Sequence, residues 1–76
     1  MPTSFDTRLG REIAVCRTRL GISQERLGFQ CKVHRTYVSQ IERGLKSPTV
    51  RTLRRIAEAL GTTTSRLLAA VEDRRS

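Results

Sequence analysis

The feature that most constrains this chain is the helical spacing of its apolar residues. Leu9, Ile13, Cys16 and Leu20 are separated by four, three and four positions, which places them on one face of a helix over about residues 6 to 20. The same period recurs in later segments, and no stretch of the sequence alternates apolar and polar residues as a half-buried strand does. The sequence therefore predicts an all-α fold of five short helices.

Glycine and hydroxyl side chains mark the ends of the first helices. Gly21 lies where a left-handed residue would end the first helix. Ser23 is a good N-cap for a second helix that ends near Cys31. Only Lys32-Val33-His34 separates that helix from a third, which we expect over about residues 35 to 43. Two short helices joined by so tight a turn predict a helix-turn-helix over about residues 23–43.

Two more helices complete the predicted architecture. The fourth is expected to begin near Ser47 or Thr49, with Pro48 in its first turn, and to end at Gly61. Its apolar stripe consists of Val50, Leu53, Ile56, Ala57 and Leu60. Thr64 is the expected cap of a last helix over about residues 64–72, followed by a charged, frayed tail. The sequence shows neither a repeat nor a second domain, so we treat residues 1–76 as one domain.

The charge of the chain points to a polyanionic partner. Fifteen Lys and Arg residues oppose seven Asp and Glu residues, which gives a formal net charge of +8. The segment from Arg26 to Arg55 is the most basic, since it carries eight cationic residues and only one acid, Glu42. A solvated surface would interleave the two signs, so this segment favours nucleic acid over simple solvation.

Several other classes of protein are disfavoured. Cys16, Cys31 and the single histidine, His34, lack the spacing of zinc ligands, and both cysteines fit the pattern of small buried hydrophobes in a reducing compartment. The longest fully apolar run, Leu67 to Val71, is too short to span a membrane, and the N-terminus lacks the apolar core of a signal peptide. We therefore expect a cytoplasmic protein with no metal, cofactor or small-molecule ligand.

The third helix has two chemically distinct faces. Val38, Ile41 and Leu45 share one arc, with His34 and Tyr37 at its edge. The opposite arc carries donors and acceptors and no carboxylate: Arg35, Thr36, Ser39, Gln40, Arg43 and Lys46. Arg can bind guanine O6 and N7, Gln can bind adenine N6 and N7, and a Thr methyl can contact the thymine methyl. This arc is suited to reading bases in a major groove.

The stretch SQERLGFQCKVHRTYVSQIERGLKSPTVRTLRRIAEALG resembles the Cro/C1-type helix-turn-helix family, which includes phage repressors. The resemblance spans about residues 9 to 71. It rests on Ser23-Gln24-Glu25, on Leu27, Val38 and Ile41, on Ile41-Glu42-Arg43-Gly44, on Pro48 and on Ile56-Ala57-x-x-Leu60-Gly61. The short chain and Arg35-Thr36-Tyr37-Val38-Ser39 also resemble small controller proteins of restriction–modification systems. The resemblance implies a compact, lambda-repressor-like domain that binds double-stranded DNA.

The resemblance also implies roles for individual residues. It assigns base contacts to Arg35, Thr36 and Gln40, with Ser39 close by. It assigns phosphate contacts to Gln24, Tyr37, Arg43, Lys46 and Arg51. It pairs Arg17 with Glu42 as an ion pair between the first and third helices. The chain departs from the family at Gly28, where alanine is usual, and at Lys32, where glycine is frequent and a positive φ would be strained.

Several of these residues also have alternative roles that involve no specific contact with a base. Tyr37 can be a half-buried packing residue, and Ser39 and Gln40 can be merely solvated. His34 can be an N-terminal cap or a phosphate contact. We expect a solvated face or general attraction to a polyanion from Arg54, Arg55, Arg66, Arg74 and Arg75.

One recognition helix reads too few base pairs to select a genomic site, so we expect a homodimer on a pseudo-palindromic operator. The last helix supplies the predicted interface through Leu67, Leu68 and Val71, and the resemblance to controller proteins implies the same region. The alternative is that these residues only close the core of one chain. We expect an autoregulatory transcription regulator whose bound form blocks or recruits RNA polymerase.

Two other functions compete with this one. An antitoxin built on the same fold would mask a partner protein, and it usually needs an extended segment to wrap that partner, whereas only five residues follow Val71. An enzyme would need a nucleophile with a base, paired carboxylates or a metal cluster, and the sequence offers none of these. We therefore expect no catalytic residues.

Overall fold

The computed structural model describes residues 4–72, which fold into five α-helices. They are α1 (Phe5–Leu20), α2 (Gln24–Cys31), α3 (Arg35–Glu42), α4 (Val50–Ala59) and α5 (Thr64–Glu72). The predicted five-helix, all-α fold is confirmed. No helix within residues 4–72 is long and apolar enough to cross a membrane. The predicted frayed tail lies outside the described residues, apart from Glu72 at the end of α5.

The ends of α1 and the start of α2 follow local capping chemistry. The Ser4 hydroxyl accepts a hydrogen bond from the Thr7 N–H at 3.1 Å, so α1 begins at Phe5. Gly21 adopts a left-handed conformation at φ 72° and ends α1 where the sequence predicts. The Ser23 hydroxyl accepts from the Arg26 N–H at 3.0 Å, as expected of the N-cap of α2.

The start of α4 agrees with Thr49, one of its two predicted positions, but not with the predicted place of Pro48. The Thr49 hydroxyl accepts from the Thr52 N–H at 3.1 Å and makes Thr49 the N-cap. Pro48 therefore precedes the helix and does not lie in its first turn. Val50, placed in the apolar stripe by its spacing, is 80% exposed, so its side chain does not belong to the core.

The start of α5 is also shifted by one residue. The Thr63 hydroxyl accepts from the Arg66 N–H at 3.1 Å, whereas Thr64 is already the first residue of the helix. An N-cap accepts from an N–H two or three residues further along the chain, and Thr63 is the hydroxyl residue with that geometry here. The prediction of Thr64 as the cap is wrong by one position.

All five helices contribute to one hydrophobic core. Its buried members are Leu9, Ile13, Leu27, Cys31, Val38, Ile41, Leu53, Ile56, Ala57, Leu60, Leu67 and Val71. Among the described residues the core contains no buried polar or charged side chain and no aromatic ring. Cys31 is fully buried and Cys16 is half-buried, and burial raises the pKa of both thiols. Cys31 acts as a small hydrophobe, whereas the Cys16 thiol at the edge of the core also donates a hydrogen bond to Glu12 Oε2 at 3.6 Å.

The last helix, α5, packs its apolar side chains into the core of the single chain. Leu67 is 2% exposed and Val71 is 1% exposed within a single chain, because α5 packs against both α1 and α4. Leu67 and Val71 therefore contribute to the core of the single chain, and a dimer interface on α5 stays a prediction. Leu68 is only partly buried at the edge of that core.

Helix α1 crosses α3 at a glycine that the sequence pattern does not single out. A Cβ added to Gly10 would lie 2.6 Å from the Glu42 carbonyl oxygen and closer still to the Ile41 carbonyl oxygen. Side chains do not tolerate such contacts with backbone atoms. Gly10 thus allows α1 to lie directly against the C-terminal end of α3 and fixes the position of that helix.

Candidate DNA-binding surface

A three-residue turn with a strained first residue joins α2 to α3. Lys32 adopts φ 62° and ψ 39°, and it is the only non-glycine residue with positive φ among residues 4–72. Its N–H donates to the Phe29 carbonyl at 3.3 Å, and the Val33 N–H donates to the Gly28 carbonyl at 2.9 Å. This left-handed C-cap is normally filled by glycine. The strain predicted for Lys32 is therefore present.

Gly28 allows α2 to approach the turn closely. A Cβ at this position would lie 2.7 Å from the Val33 carbonyl oxygen and 3.3 Å from the Arg35 nitrogen. Both contacts involve backbone, which cannot move aside without shifting α3. The departure from the alanine that is usual in the family thus has a steric reason in this chain.

His34 caps the N-terminus of α3. Its backbone is extended, at φ −71° and ψ 148°, and its Nδ1 accepts a hydrogen bond from the Thr36 N–H at 3.0 Å. The His34 carbonyl accepts from the Tyr37 N–H at 2.9 Å, the first backbone bond of the helix. Of the two roles considered for His34, the structure assigns it the cap.

A partly buried polar network holds α3 against α1 and α2. Arg17 Nε lies 2.6 Å from Glu42 Oε2, and Arg17 Nη2 donates to Glu42 Oε1 at 3.0 Å, so the expected ion pair is present and bidentate. The side chains of Arg17 and Glu42 are only 16% and 6% exposed. Arg17 Nη1 also donates to the Ile22 carbonyl at 2.9 Å. The hydrogen bonds to Glu42 raise the pKa of Arg17 still further above neutrality.

Gln24 belongs to the same network. Its Nε2 donates to Glu42 Oε1 at 2.9 Å. The sequence resemblance gave Gln24 a phosphate contact and did not reveal this internal bond. An amide nitrogen carries two hydrogens, so Gln24 retains a second donor at the N-terminus of α2. The one sequence feature that pointed to this bond was Glu42, the only acid in the basic segment. A largely buried carboxylate needs several hydrogen-bond donors.

The opposite face of α3 is left unpaired. Arg35 and Thr36 are exposed, and Ser39 and Gln40 are half-buried. None of these four side chains makes a hydrogen bond or ion pair within the described part of the chain. Tyr37, expected to contact phosphate, is half-buried and packs against the core, as its alternative role as a packing residue requires.

The cations around this face are also free of acidic partners. Arg43, Lys46 and Arg51 are exposed, and no carboxylate of residues 4–72 pairs with them. By contrast, Arg54 is paired with Glu58 at 3.5 Å on the exposed surface of α4. Because Arg17 neutralises Glu42 internally, the segment from Arg26 to Arg55 presents its positive charge outward.

Comparison with known proteins agrees with this geometry. A family model described as helix-turn-helix matches residues 13–67. The chain belongs to the Cro/C1-type helix-turn-helix family. It is a helix-turn-helix transcription regulator related to the controller proteins of restriction–modification systems, and homologues of this kind are not enzymes.

Three relatives illustrate the relationship. The control protein C.BamHI of Bacillus amyloliquefaciens is 40% identical over 62 residues, which cover 80% of this chain and 76% of that protein. The crystal structure of the restriction–modification controller protein C.AhdI from Aeromonas hydrophila superposes with a TM-score of 0.78 at 31% identity and covers 80% of this chain and 92% of that one. The clp gene regulator ClgR from Corynebacterium glutamicum has a TM-score of 0.89 at 24% identity, covering 93% and 76%, and it supports the fold alone.

Proposed function

We propose that this helix-turn-helix protein binds a pseudo-palindromic operator as a homodimer and regulates transcription from its own promoter. The observation that carries the proposal is the unpaired polar face of α3, formed by Arg35, Thr36, Ser39 and Gln40. Polar side chains held on a rigid helix without internal partners are free to bond base edges.

The base-reading role rests on the position of each side chain. Arg35 and Thr36 occupy the first turn of α3, which is the part of a recognition helix that penetrates the major groove. Arg35 is suited to guanine, the Thr36 methyl to thymine and Gln40 to adenine, with Ser39 as an additional hydrogen-bonding group. Because the apolar face of α3 is buried through Val38 and Ile41, the helix has a single orientation in which to present them.

The phosphate-binding role rests on charge and on the free donor of Gln24. Arg43, Lys46 and Arg51 lie beyond the C-terminal end of α3 and would contact the backbone on one side of the groove. Gln24 would contact it from the N-terminus of α2, where the helix dipole also favours an anion. Tyr37 would contribute through its hydroxyl, since its ring is occupied by packing.

A homodimer would double the number of base pairs read. Half-sites one helical turn apart are separated by roughly 34 Å, and the longest dimension of this chain is 33 Å. Two copies on adjacent half-sites would therefore lie close enough to touch. With Leu67 and Val71 committed to the core, the contact would use Leu68 and other exposed apolar side chains, of which Val50 and Leu45 are among the most exposed.

Selection from a randomised duplex library tests sequence recognition. The purified protein and its Arg35→Ala variant would each be passed over the library at about 150 mM salt, and the retained duplexes sequenced. We expect a two-fold motif for the parent protein and a loss of information at one symmetric position for the variant. Retention without a motif, weakening steeply with salt, would contradict the proposal and would favour the antitoxin-like alternative, in which a protein is the partner.

Footprinting on the DNA upstream of its own gene tests autoregulation. Protection of the promoter at micromolar dimer is the expected result, and transcription assays with RNA polymerase would then show whether the bound protein blocks or recruits the enzyme. An unprotected promoter under these conditions would rule out autoregulation while leaving sequence-specific binding intact.

A further inference from the structure

We propose that His34 is a positioning residue for the base-reading Arg35 and Thr36, and that the neutral form of its imidazole is needed for full operator affinity. The inference rests on the proposed function, because it concerns how the first turn of α3 is held for DNA. It assigns His34 an effect on operator affinity that depends on the protonation state of its ring.

The hydrogen bond at the start of α3 requires an unprotonated ring nitrogen. His34 Nδ1 lies 3.0 Å from the Thr36 nitrogen, and a backbone N–H can only donate, so Nδ1 must accept. In the neutral ring the proton then resides on Nε2. This bond satisfies one of the N–H groups that the first turn of a helix leaves without a backbone partner.

Protonation would replace this attraction with repulsion. In the imidazolium form both ring nitrogens carry hydrogens, so Nδ1–H would face Thr36 N–H. The added charge would also stand at the positive end of the α3 dipole, in a groove that the cationic Arg35 also lines. The first turn would lose its cap and fray, and ordering Arg35 and Thr36 on DNA would then cost affinity.

Charged side chains of both signs lie in the groove that His34 lines. His34 and Arg35 line a shallow groove with Glu25, Phe29 and Val33, so Glu25 from α2 is the only carboxylate among these lining residues. Glu25 favours the imidazolium, whereas Arg35 and the helix dipole oppose it.

The histidine cap differs in this respect from the other observed caps. Ser4, Ser23, Thr49 and Thr63 cap their helices through hydroxyl groups, which do not titrate between acidic and neutral pH. Among these five capped helices, only α3 has an imidazole as its cap. The pH sensitivity is thereby confined to the element that reads the operator.

Binding measured against pH provides the test. Affinity for the selected operator would be measured at about pH 6.0 and about pH 8.0 at constant ionic strength for the parent protein, His34→Asn and His34→Ala. Asparagine is a good N-cap that does not titrate, and alanine is not a cap. We expect the parent protein to lose roughly fivefold in affinity at the lower pH, the effect of one lost cap, while His34→Asn keeps its affinity at both pH values. His34→Ala should be weaker at both.

Two outcomes would overturn the proposal. If operator affinity depends on pH in the same way for the parent protein and for His34→Asn, then His34 has no titrating role. Stronger operator binding by the parent protein at the lower pH, absent from His34→Asn, would show that the imidazolium contacts phosphate instead. Thermal melting of each variant at both pH values separates unfolding from loss of DNA contacts.

A measurement without DNA keeps this inference separate from the proposed function. The Thr36 amide resonance would be followed by NMR across the same pH range in the free protein. A shift near the ordinary imidazole range in the parent protein, absent in His34→Asn, supports the cap as a titrating group even if no operator is ever selected. An unchanged Thr36 resonance in the parent protein would refute it.

Discussion

Helices α3 and α5 are almost equal in length, with eight and nine residues, but they expose opposite kinds of side chain. Helix α3 leaves Arg35 and Thr36 exposed and unpaired, whereas α5 buries Leu67 and Val71. An exposed polar group loses little free energy when it has no partner within the chain, because water forms hydrogen bonds with it. An apolar side chain in a chain of 76 residues is needed for the core, which is small at this size. In such a protein, apolar patterning by itself is weak evidence for an interface, and unpaired polar groups are stronger evidence.

The largest effect on stability should come from the buried residues of α5. Leu67→Ala removes a side chain that is 2% exposed, and we expect the free energy of unfolding to fall by about 3 kcal/mol. Leu68→Ala, at the partly buried edge of the core, should cost less than about 1 kcal/mol. Urea denaturation of both variants measures the difference. Equal losses would mean that the two faces of α5 are not distinct.

The ion pair that holds α3 against α1 should show the next largest effect on stability. Glu42→Gln removes the charge that pairs with the largely buried Arg17, and we expect a loss of about 2 kcal/mol, since Arg17 keeps some exposure to water. Glu58→Gln is the matched control, because it breaks an ion pair whose side chains are 76% and 64% exposed, which should cost less than about 0.5 kcal/mol. Chemical denaturation again provides the measurement, and comparable values for the two variants would contradict the structural role of the network.

The exposed side of α3 should respond in binding and not in stability. Arg35→Ala should lower operator affinity about tenfold, or roughly 1.4 kcal/mol, while the free energy of unfolding changes by less than about 0.5 kcal/mol. Arg66→Ala, an exposed cation on α5, should weaken all DNA binding slightly and equally. Fluorescence anisotropy with the selected and a scrambled duplex distinguishes these outcomes. If the Arg35→Ala variant binds both duplexes with the affinities of the parent protein, Arg35 of α3 does not read the bases.

The smallest effect concerns the turn between α2 and α3. Lys32→Gly should raise the free energy of unfolding by about 0.5 kcal/mol, because glycine relieves the left-handed strain but has more freedom in the unfolded chain. Gly21→Ala is the reverse test, at φ 72° with open space around the residue, and should lower stability by about 1 kcal/mol. Thermal denaturation compares the two. A destabilised Lys32→Gly would show that the lysine side chain makes a compensating contribution.

Much of the candidate site could be predicted because it depends on local chemistry. The polar arc of α3 follows from residue types at a period of 3.6, and Arg35 and Thr36 are exposed on that arc. The bond between Gln24 and Glu42 could not be predicted in this way, since it joins residues 18 positions apart. Its formation depends on how α2 and α3 cross.

The sequence by itself determined the number and approximate limits of the helices, the caps at Gly21 and Ser23 and the two faces of α3, because each depends on residues within a few positions of one another. Only the tertiary structure decided that Val50 is exposed, that Leu67 and Val71 are buried and that Gly10 and Gly28 lie against backbone. A periodic pattern specifies which face of a helix is apolar. It does not specify what covers that face, because the covering surface comes from helices that are distant in the chain.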